Sequence, residues 1–308
     1  MLIVLMIAFG FYLFSSRVSV IDFETQKYGT GICEKPLLID ELCVASEDVS
    51  SISFITEDEF HAVALFQPDS KSVLYAKDIH ERIYPASTTK IMTIYLALKY
   101  GTLSDTVTIS KNAVEVPLDS SRAGFKTGDQ VTLEALLYSL MLPSGNDSAV
   151  AVAEYVSGSV DEFAKLMNSE AKKLGATNSN FLTPHGYHDE NHYTTAYDLY
   201  LIFNQCVKYD KFLEIVSTAE YNTKVTQANG TYREVTWKQS NQYINGMRQI
   251  PDGVTIVGGK TGTTNEAGSC LILYSKNSDT PYISIIMGAE TKPVLYKNMS
   301  NLISSVSK

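Results

Sequence analysis

The sequence predicts an α+β fold: one antiparallel β-sheet built from both ends of the chain, flanked by helices, with an inserted helical subdomain. Apolar or alternating runs typical of strands occur early, at 61–67 and 72–77, and late, at 256–262, 269–275 and 282–288. The stretch between them has mostly helical periodicity. Consecutive strands joined by short turns pair antiparallel, and helices then cover the single sheet that results.

Composition is that of a globular protein and excludes some functions. The chain has 308 residues, 44% of them hydrophobic and 19% charged, which suffices for a large core in one or two domains. A net charge of −9 argues against a nucleic-acid partner, because phosphate binding needs a basic face. Cysteine and histidine are not spaced as in a zinc site, and we expect no metal.

The sequence divides into three predicted segments. Residues 1–14 form an unbroken apolar run, shorter than the ~20 residues of a membrane span. We interpret residues 1–20 as a signal peptide or membrane anchor, and the absence of an A-x-A-like cleavage site favours the anchor; a buried strand or helix is the alternative. Residues 21–52 are a variable N-terminal segment, in which Cys33 and Cys43 are spaced for a local disulfide. Folded structure is expected from about Ser53, in a domain over 53–308.

The first elements follow from turn and cap residues. The runs 61–67 and 72–77 are joined by a Pro-Asp-Ser-Lys turn and predict a β-hairpin. Pro85 precedes an apolar run that predicts a helix to about Tyr100, capped by Ser87 or its neighbour and stopped by Gly101. A polar, loop-rich stretch follows, through residues 116–118.

The middle of the chain is predicted to be helical. Thr132 caps an apolar helix over 133–142, which Pro143 ends, and a second helix covers 147–156. Further helices are expected at 161–174 and, from a capping box at Thr195, through about 207. Residues 217–250 are mixed and polar. The three late strands and a helix over 293–306 complete the chain.

A Ser-x-x-Lys motif at residues 87–90 marks the candidate nucleophile. Ser87 and Lys90 are one turn apart at a helix start and face the same way. A hydroxyl beside an amine is the arrangement of a serine nucleophile whose proton is taken by lysine. The pattern alone is weak: it recurs at 169–172 and at 305–308, where we interpret it as a solvated face.

Two further motifs lie downstream. Ser144-Gly145-Asn146 follows Pro143 at a junction of two helices and presents a hydroxyl and an amide, although turn-forming residues alone explain an isolated match. Residues 260–263, Lys-Thr-Gly-Thr, follow an apolar, glycine-containing approach that lets a ligand come close to a strand edge. Similar patterns at 126–128 and 275–277 are interpreted as turns.

Together these motifs, in this order, resemble those of the penicillin-recognising serine enzymes. The flanking sequences at 84–93, 142–147, 184–186, 192–196 and 258–264 resemble low-molecular-mass penicillin-binding proteins of the D-alanyl-D-alanine carboxypeptidase family. The resemblance covers about residues 55–305 and implies a DD-peptidase/β-lactamase-like fold.

The middle motif is Ser-Gly-Asn here, where the motif set of the penicillin-recognising enzymes has Ser-Asp-Asn. Many members also carry a second, β-rich domain with a C-terminal amphipathic membrane helix, whereas this sequence stops one helix after its last strand. Attachment by the N-terminus is therefore expected instead.

The resemblance implies a serine-type carboxypeptidase that removes the terminal D-alanine from peptidoglycan stem peptides through an acyl-enzyme. Ser87 would attack the carbonyl and Lys90 would take its proton, so the pKa of Lys90 must fall from about 10.4 to near 7, at a cost of roughly 4 kcal/mol. Lys260 would be the nearby cation that lowers it, and Ser144 would relay the proton to the leaving amine.

Substrate binding is implied for the remaining motif residues. Asn146 would bond the peptide backbone, and Thr261 and Thr263 would bind the terminal carboxylate beside Lys260 and Gly262. The backbone N–H groups of Ser87 and Thr263 would form the oxyanion hole. No cofactor is needed.

The implied partners are a stem peptide ending in D-Ala-D-Ala and β-lactam antibiotics as covalent inhibitors, with the enzyme acting outside the cytoplasmic membrane. A serine β-lactamase is one alternative, but the Glu-x-x-Leu-Asn segment of its class A form does not occur in 147–259. A catalytically silent penicillin- or wall-binding domain is another. We expect the loop histidines His185 and His192 to bond the backbone, not to act in catalysis.

Overall fold

A computed structural model of the protein describes residues 42–306. Its strands are Val49–Ser50 (β1), Ala62–Gln67 (β2), Ser72–Lys77 (β3), Thr106–Thr108 (β4), Gln130–Thr132 (β5), Glu220–Thr226 (β6), Tyr232–Lys238 (β7), Val254–Thr264 (β8), Gly268–Asn277 (β9) and Thr280–Ala289 (β10). Its helices are Lys90–Tyr100 (α1), Lys111–Val114 (α2), Leu133–Met141 (α3), Asn146–Ser157 (α4), Val160–Lys173 (α5), Ala196–Cys206 (α6), Asp210–Ser217 (α7) and Lys292–Ser304 (α8), and a 3-10 turn covers Ala86–Thr89.

The predicted antiparallel sheet from both ends of the chain is confirmed. It has six strands in the order β1-β3-β2-β10-β9-β8, so the early hairpin joins the late strands where β2 pairs with β10. Both central strands are almost wholly buried. This explains why their sequences are continuously apolar, since a strand covered on both faces has no solvent side.

Helices pack on both faces of this sheet. Val63 and Leu65 of β2 belong to a core that includes Leu295 and Met299 of α8. Successive side chains of a strand point to opposite faces, so Phe66 turns the other way and stacks on Tyr200 of α6, with ring centroids 4.0 Å apart. The sheet is therefore the middle layer between α8 and the helical region.

Helix α1 is the centre of the helical region. All of its residues from Lys90 to Ala97 are buried, which is typical of a helix surrounded by protein on every side. The helices around it begin at the predicted caps: Thr132 and Thr195 each accept a hydrogen bond from a backbone N–H of the first turn. The start of α1, which carries the candidate nucleophile, is thus held in rigid surroundings.

A second sheet was not predicted. Strands β4-β5-β6-β7 form a four-stranded sheet, and its longest hairpin, β6–β7, lies in the stretch that was interpreted only as mixed and polar. Most side chains of this hairpin are exposed or half-buried, and each strand has one buried residue, so its apolar alternation is weak. Helix α7 was also not predicted.

The described fold begins before Ser53. Strand β1 pairs with β3, and Cys43 is buried, with its N–H donating to Tyr200 Oη at 2.9 Å. Cys33 and the apolar run 1–14 lie outside the described residues, so the proposed disulfide and the N-terminal anchor stay predictions. Within 42–306 we find no helix both long and apolar enough to cross a membrane.

Candidate active site

The candidate nucleophile lies on a 3-10 turn that leads directly into α1. We expected Ser87 or its neighbour to cap the helix, and this is wrong: neither the turn nor α1 has a side-chain cap. In a 3-10 turn the side chains at i and i+3 nearly eclipse each other. Ser87 and Lys90 therefore meet, with Lys90 Nζ 2.9 Å from Ser87 Oγ.

Lys90 is fully buried and surrounded by oxygen atoms. Besides Ser87, its Nζ donates to Asn146 Oδ1 at 2.7 Å and to the carbonyl oxygen of His185 at 3.0 Å. Burial lowers the pKa of Lys90 well below its usual value, the nearby charge of Lys260 lowers it further, and the charge of Asp147 partly opposes this. The neutral amine that a proton acceptor needs is therefore favoured here.

A second buried lysine faces a second serine. Lys260 Nζ lies 2.9 Å from Ser144 Oγ and 2.8 Å from the carbonyl oxygen of Thr261. Burial lowers the pKa of Lys260 to about 7. The site thus holds two lysine–serine pairs.

Ser144 stands in a left-handed backbone conformation, with φ +63. This is rare for a residue other than glycine and costs of order 1–3 kcal/mol unless the surroundings compensate. The conformation turns the chain sharply between α3 and α4, so that Ser144 reaches Lys260 while Asn146, two residues later, reaches Lys90.

Strand β8 approaches the nucleophile turn closely. A Cβ added to Gly262 would lie 3.1 Å from the backbone N of Ser87 and 3.1 Å from the carbonyl oxygen of Pro85, closer than most side-chain contacts allow. On the other side of the turn, Gly186 has φ +77, and a Cβ there would lie 1.8 Å from the carbonyl oxygen of Ala86. The two glycines thus allow neighbouring backbone segments to pack closely against both sides of the turn.

The motif residues line a cleft. A cavity of about 390 Å³ is lined by Ser87, Asn146 and Thr263 together with residues 119–121, 185–188 and 264–266. An adjoining cavity of about 130 Å³ shares Ser87 and Thr263 and adds Ser144, Thr261 and Gly262. The structure therefore brings together all eight residues that the sequence singled out, Lys90 and Lys260 lying buried beneath the cleft.

The patterns interpreted as decoys lie elsewhere. Lys126 is exposed and Gly128 has φ +84 in a turn, and Ser169 and Lys172 are on the exposed face of α5. Residues 275–277 are the last residues of β9, as predicted, and not a turn; Ser275 is buried. None of these residues lines either cavity.

The two loop histidines bond the backbone, as expected. His185 Nδ1 accepts from the N–H of Tyr187 at 3.0 Å, and His192 Nδ1 accepts from the N–H of Leu182 at 3.1 Å. Burial lowers the pKa of His185 to about 3 and that of His192 to about 4. Both are neutral at physiological pH.

Sequence reasoning missed three contributors to the site. Ser240 Oγ lies 3.0 Å from Thr261 Oγ1 and lines the smaller cavity, the carbonyl of His185 contacts Lys90, and buried Asp147 follows Asn146. Asp147 and His185 both lie in sequences that resemble the family, 142–147 and 184–186, but neither was expected to contact a catalytic lysine. Ser240 lies in a stretch with no motif, and only tertiary folding brings it to the cleft.

Comparison with known proteins agrees with this geometry. The family model described as D-alanyl-D-alanine carboxypeptidase, peptidase S11, matches residues 55–291. D-alanyl-D-alanine carboxypeptidase DacF of Bacillus subtilis (strain 168) is 34% identical over 255 residues, which is 80% of this chain and 61% of DacF. The D-alanyl-D-alanine carboxypeptidase of Streptomyces sp. (strain K15) is 33% identical over 244 residues, 76% of this chain and 82% of that protein.

Solved structures are similar as well. The crystal structure of the Streptomyces K15 DD-transpeptidase superposes with a TM-score of 0.75 at 29% identity, covering 82% of this chain and 98% of that one. The fold places the chain in the structural class of the DD-peptidases. The chain belongs to the peptidase S11 family of D-alanyl-D-alanine carboxypeptidases. It spans about three fifths of the length of DacF and of its relative DacC from Escherichia coli (strain K12).

Proposed function

We propose that the protein is a serine-type D-alanyl-D-alanine carboxypeptidase that trims peptidoglycan stem peptides and is inhibited by β-lactams. The observation that carries this proposal is the contact of buried Lys90 with Ser87, 2.9 Å apart at the edge of an open cleft. A buried, neutral amine beside a hydroxyl is the arrangement that activates serine without histidine.

The proposed acylation starts from Ser87. Its Oγ attacks the carbonyl between the two terminal D-alanines while neutral Lys90 takes the Oγ proton. The oxyanion that forms would be held by the backbone N–H groups of Ser87 and Thr263. The C–N bond then breaks as the proton held by Lys90 is relayed through Ser144, which contacts Lys260, to the leaving amine. D-alanine departs and Lys90 is neutral again. Water releases the acyl group in the second half of the cycle.

Substrate binding is assigned to the strand edge and to Asn146. The Oδ1 of Asn146 already accepts from Lys90, which leaves its NH₂ group for a carbonyl of the peptide. Thr261 and Thr263 would bind the terminal carboxylate, with Lys260 supplying positive charge and Gly262 giving room for the peptide. The mechanism uses side chains and water, and needs no metal or organic cofactor.

The proposed substrate fixes where the enzyme works. Stem peptides lie outside the cytoplasmic membrane, so the proposal includes an extracytoplasmic location reached through the apolar run 1–14. We propose that this run remains as a tether. An antibody against the folded domain would then detect full-length protein in the membrane fraction; full-length protein mainly in the cytosol or free in the medium would contradict the tether.

Penicillin labelling tests the activity. The full chain is incubated with fluorescent penicillin and, separately, with a peptide ending in D-Ala-D-Ala, and adduct lifetime and released D-alanine are measured. We expect a long-lived adduct, D-alanine release, and loss of both in a folded Ser87→Ala variant. Rapid penicillin turnover would instead indicate a β-lactamase, and a wild-type protein that is never labelled would be a silent binding domain. A covalent adduct on Ser87→Ala would contradict the assignment of the nucleophile.

A further inference from the structure

Asp147 is a buried carboxylate that the proposed reaction does not use. It directly follows Asn146 in the first turn of α4 and is 2% exposed. Four backbone N–H groups donate to it. Oδ1 accepts from Ala123 at 2.8 Å and from Ser148 at 2.9 Å, and Oδ2 accepts from Gly124 at 2.9 Å and from Phe125 at 3.2 Å. Three of these donors come from one distant segment of the chain.

That segment, residues 117–125, is one wall of the cleft, and we call it the lip. Its residues Asp119, Ser120 and Ser121 line the larger cavity. Further hydrogen bonds join the lip to the rest of the fold. The N–H of Asn146 donates to the carbonyl of Ser121 at 2.8 Å, Trp237 Nε1 donates to the carbonyl of Ala123 at 3.0 Å, and Arg233 donates to the carbonyl of Gly124 at 3.0 Å. The lip is therefore fastened to the start of α4, the same turn that presents Asn146 to Lys90.

We propose that Asp147 is a positioning residue, which fixes the lip to the start of α4 and so sets the width of the cleft between the lip and the end of strand β8. This inference rests on the proposed function. An asparagine at position 147 cannot replace the carboxylate. It has one carbonyl oxygen and one NH₂ group, so in either orientation the NH₂ group would face two of the four backbone N–H donors. An unsatisfied buried donor costs about 1–3 kcal/mol, enough to release the lip locally.

The charge of Asp147 gives the proposal a second consequence. Three groups face Lys90 from the surrounding elements: Lys260 from β8, Asp147 from α4, and His185 from its loop, where it is neutral. The charge of Asp147 raises the pKa of Lys90 against the effects of burial and of Lys260. Removing that charge lowers the pKa of Lys90 further, so the neutral amine persists to lower pH. The acid limb of the acylation rate should therefore move to lower pH.

The test compares Asp147→Asn with a matched control. Asp198→Asn also alters a buried carboxylate in the first turn of a helix. Its carboxylate accepts from the N–H of Asn178 at 2.8 Å, but Asp198 lines neither cavity.

The measurements are KM and kcat for D-alanine release and the pH profile of acylation by penicillin. We expect Asp147→Asn to lower kcat/KM at least ~10-fold, because small misplacements at a reacting centre cost that much or more, with the acid limb at lower pH. Asp198→Asn should change neither readout.

A second variant tests the proposal even if Asp147→Asn does not fold. Trp237→Phe removes the Nε1 donor to Ala123 together with one ring of a side chain that packs on Phe125 of the lip. This should raise KM severalfold while leaving the pH profile unchanged, because no charge is lost. A kcat/KM within twofold of wild type in either variant, or an unshifted acid limb in Asp147→Asn, would overturn the proposal. If instead the wild-type chain neither releases D-alanine nor forms an adduct, the proposed function fails, which is a different result.

Discussion

The Nζ of Lys260 lies 2.9 Å from the Oγ of Ser144, although the two residues come from a sheet strand and from a turn between helices. A second lysine–serine contact, between Lys90 and Ser87, has the same length. Burial lowers the pKa of both lysines, and that of Lys90 falls further because Lys260 is near. These shifts fit the roles proposed for the two lysines: Lys90 would be the neutral proton acceptor, and Lys260 would keep its charge to a higher pH than Lys90.

Lys90→Arg tests whether Lys90 accepts the proton. Arginine keeps the positive charge but cannot lose its proton in a protein, so we expect acylation by penicillin to fall nearly as far as in Ser87→Ala. The rate of adduct formation, measured by mass spectrometry on folded protein, checks this. Acylation near the wild-type rate would mean that Lys90 acts only through its charge and that another group takes the proton.

The assignment of the downstream motifs is tested against a decoy. Lys260→Ala and Ser144→Ala should each reduce kcat/KM for D-alanine release at least ~10²-fold, the scale of a lost acid–base or electrostatic group. Lys126→Ala alters the exposed lysine of the other Lys-Thr-Gly sequence and should change kcat/KM little. A larger effect from Lys126→Ala than from Lys260→Ala would show that the cleft is assigned wrongly.

The pH dependence of kcat/KM should be bell-shaped, because it reports essential groups of the free enzyme. Activity needs Lys90 neutral, so it is lost as pH falls through the lowered pKa of Lys90. It also needs Lys260 charged to attract the substrate carboxylate, so it declines as pH rises through the pKa of Lys260, about 7. Lys260→Arg keeps its charge and should lack the alkaline limb. An alkaline limb that persists unchanged in this variant would assign it to another group.

The sequence predicted those elements whose burial or capping leaves a local pattern in the residues. Strands β2 and β10 were predicted because burial on both faces makes them continuously apolar, and Thr132 and Thr195 marked helix starts because a cap is local chemistry. The hairpin β6–β7 has a polar face, and its other face mixes polar side chains with a few apolar ones, of which Val225 and Trp237 are buried. Its turn signal, Asn229 before Gly230, was not used.

The candidate site divides in the same way. Ser87, Ser144 and Lys260 were found because each lies in a short motif. The 3-10 turn at Ser87 was not foreseen, because the backbone that packs against it, at Gly186, comes from a distant loop and the sequence around Ser87 does not show that approach. The role of Asp147 was hidden for a related reason: its donors, beginning at Ala123, lie in another part of the chain.

The close approach of Gly186 to the nucleophile turn leads to the last prediction. Gly186→Ala should destabilise the fold and slow acylation, because the left-handed backbone strains any side chain and the new Cβ would overlap the carbonyl oxygen of Ala86. Gly230→Ala is the matched control: its φ of +82 imposes similar strain, but nothing lies within 4 Å of the added Cβ. We expect Gly230→Ala to cost about 1–2 kcal/mol in the free energy of unfolding with a normal acylation rate. Gly186→Ala should cost more and lower the acylation rate at least ~10-fold, since the turn that carries Ser87 must shift. Urea unfolding and penicillin acylation of both variants measure the two effects separately, and equal acylation rates in the two would mean that the approach of Gly186 does not position the nucleophile.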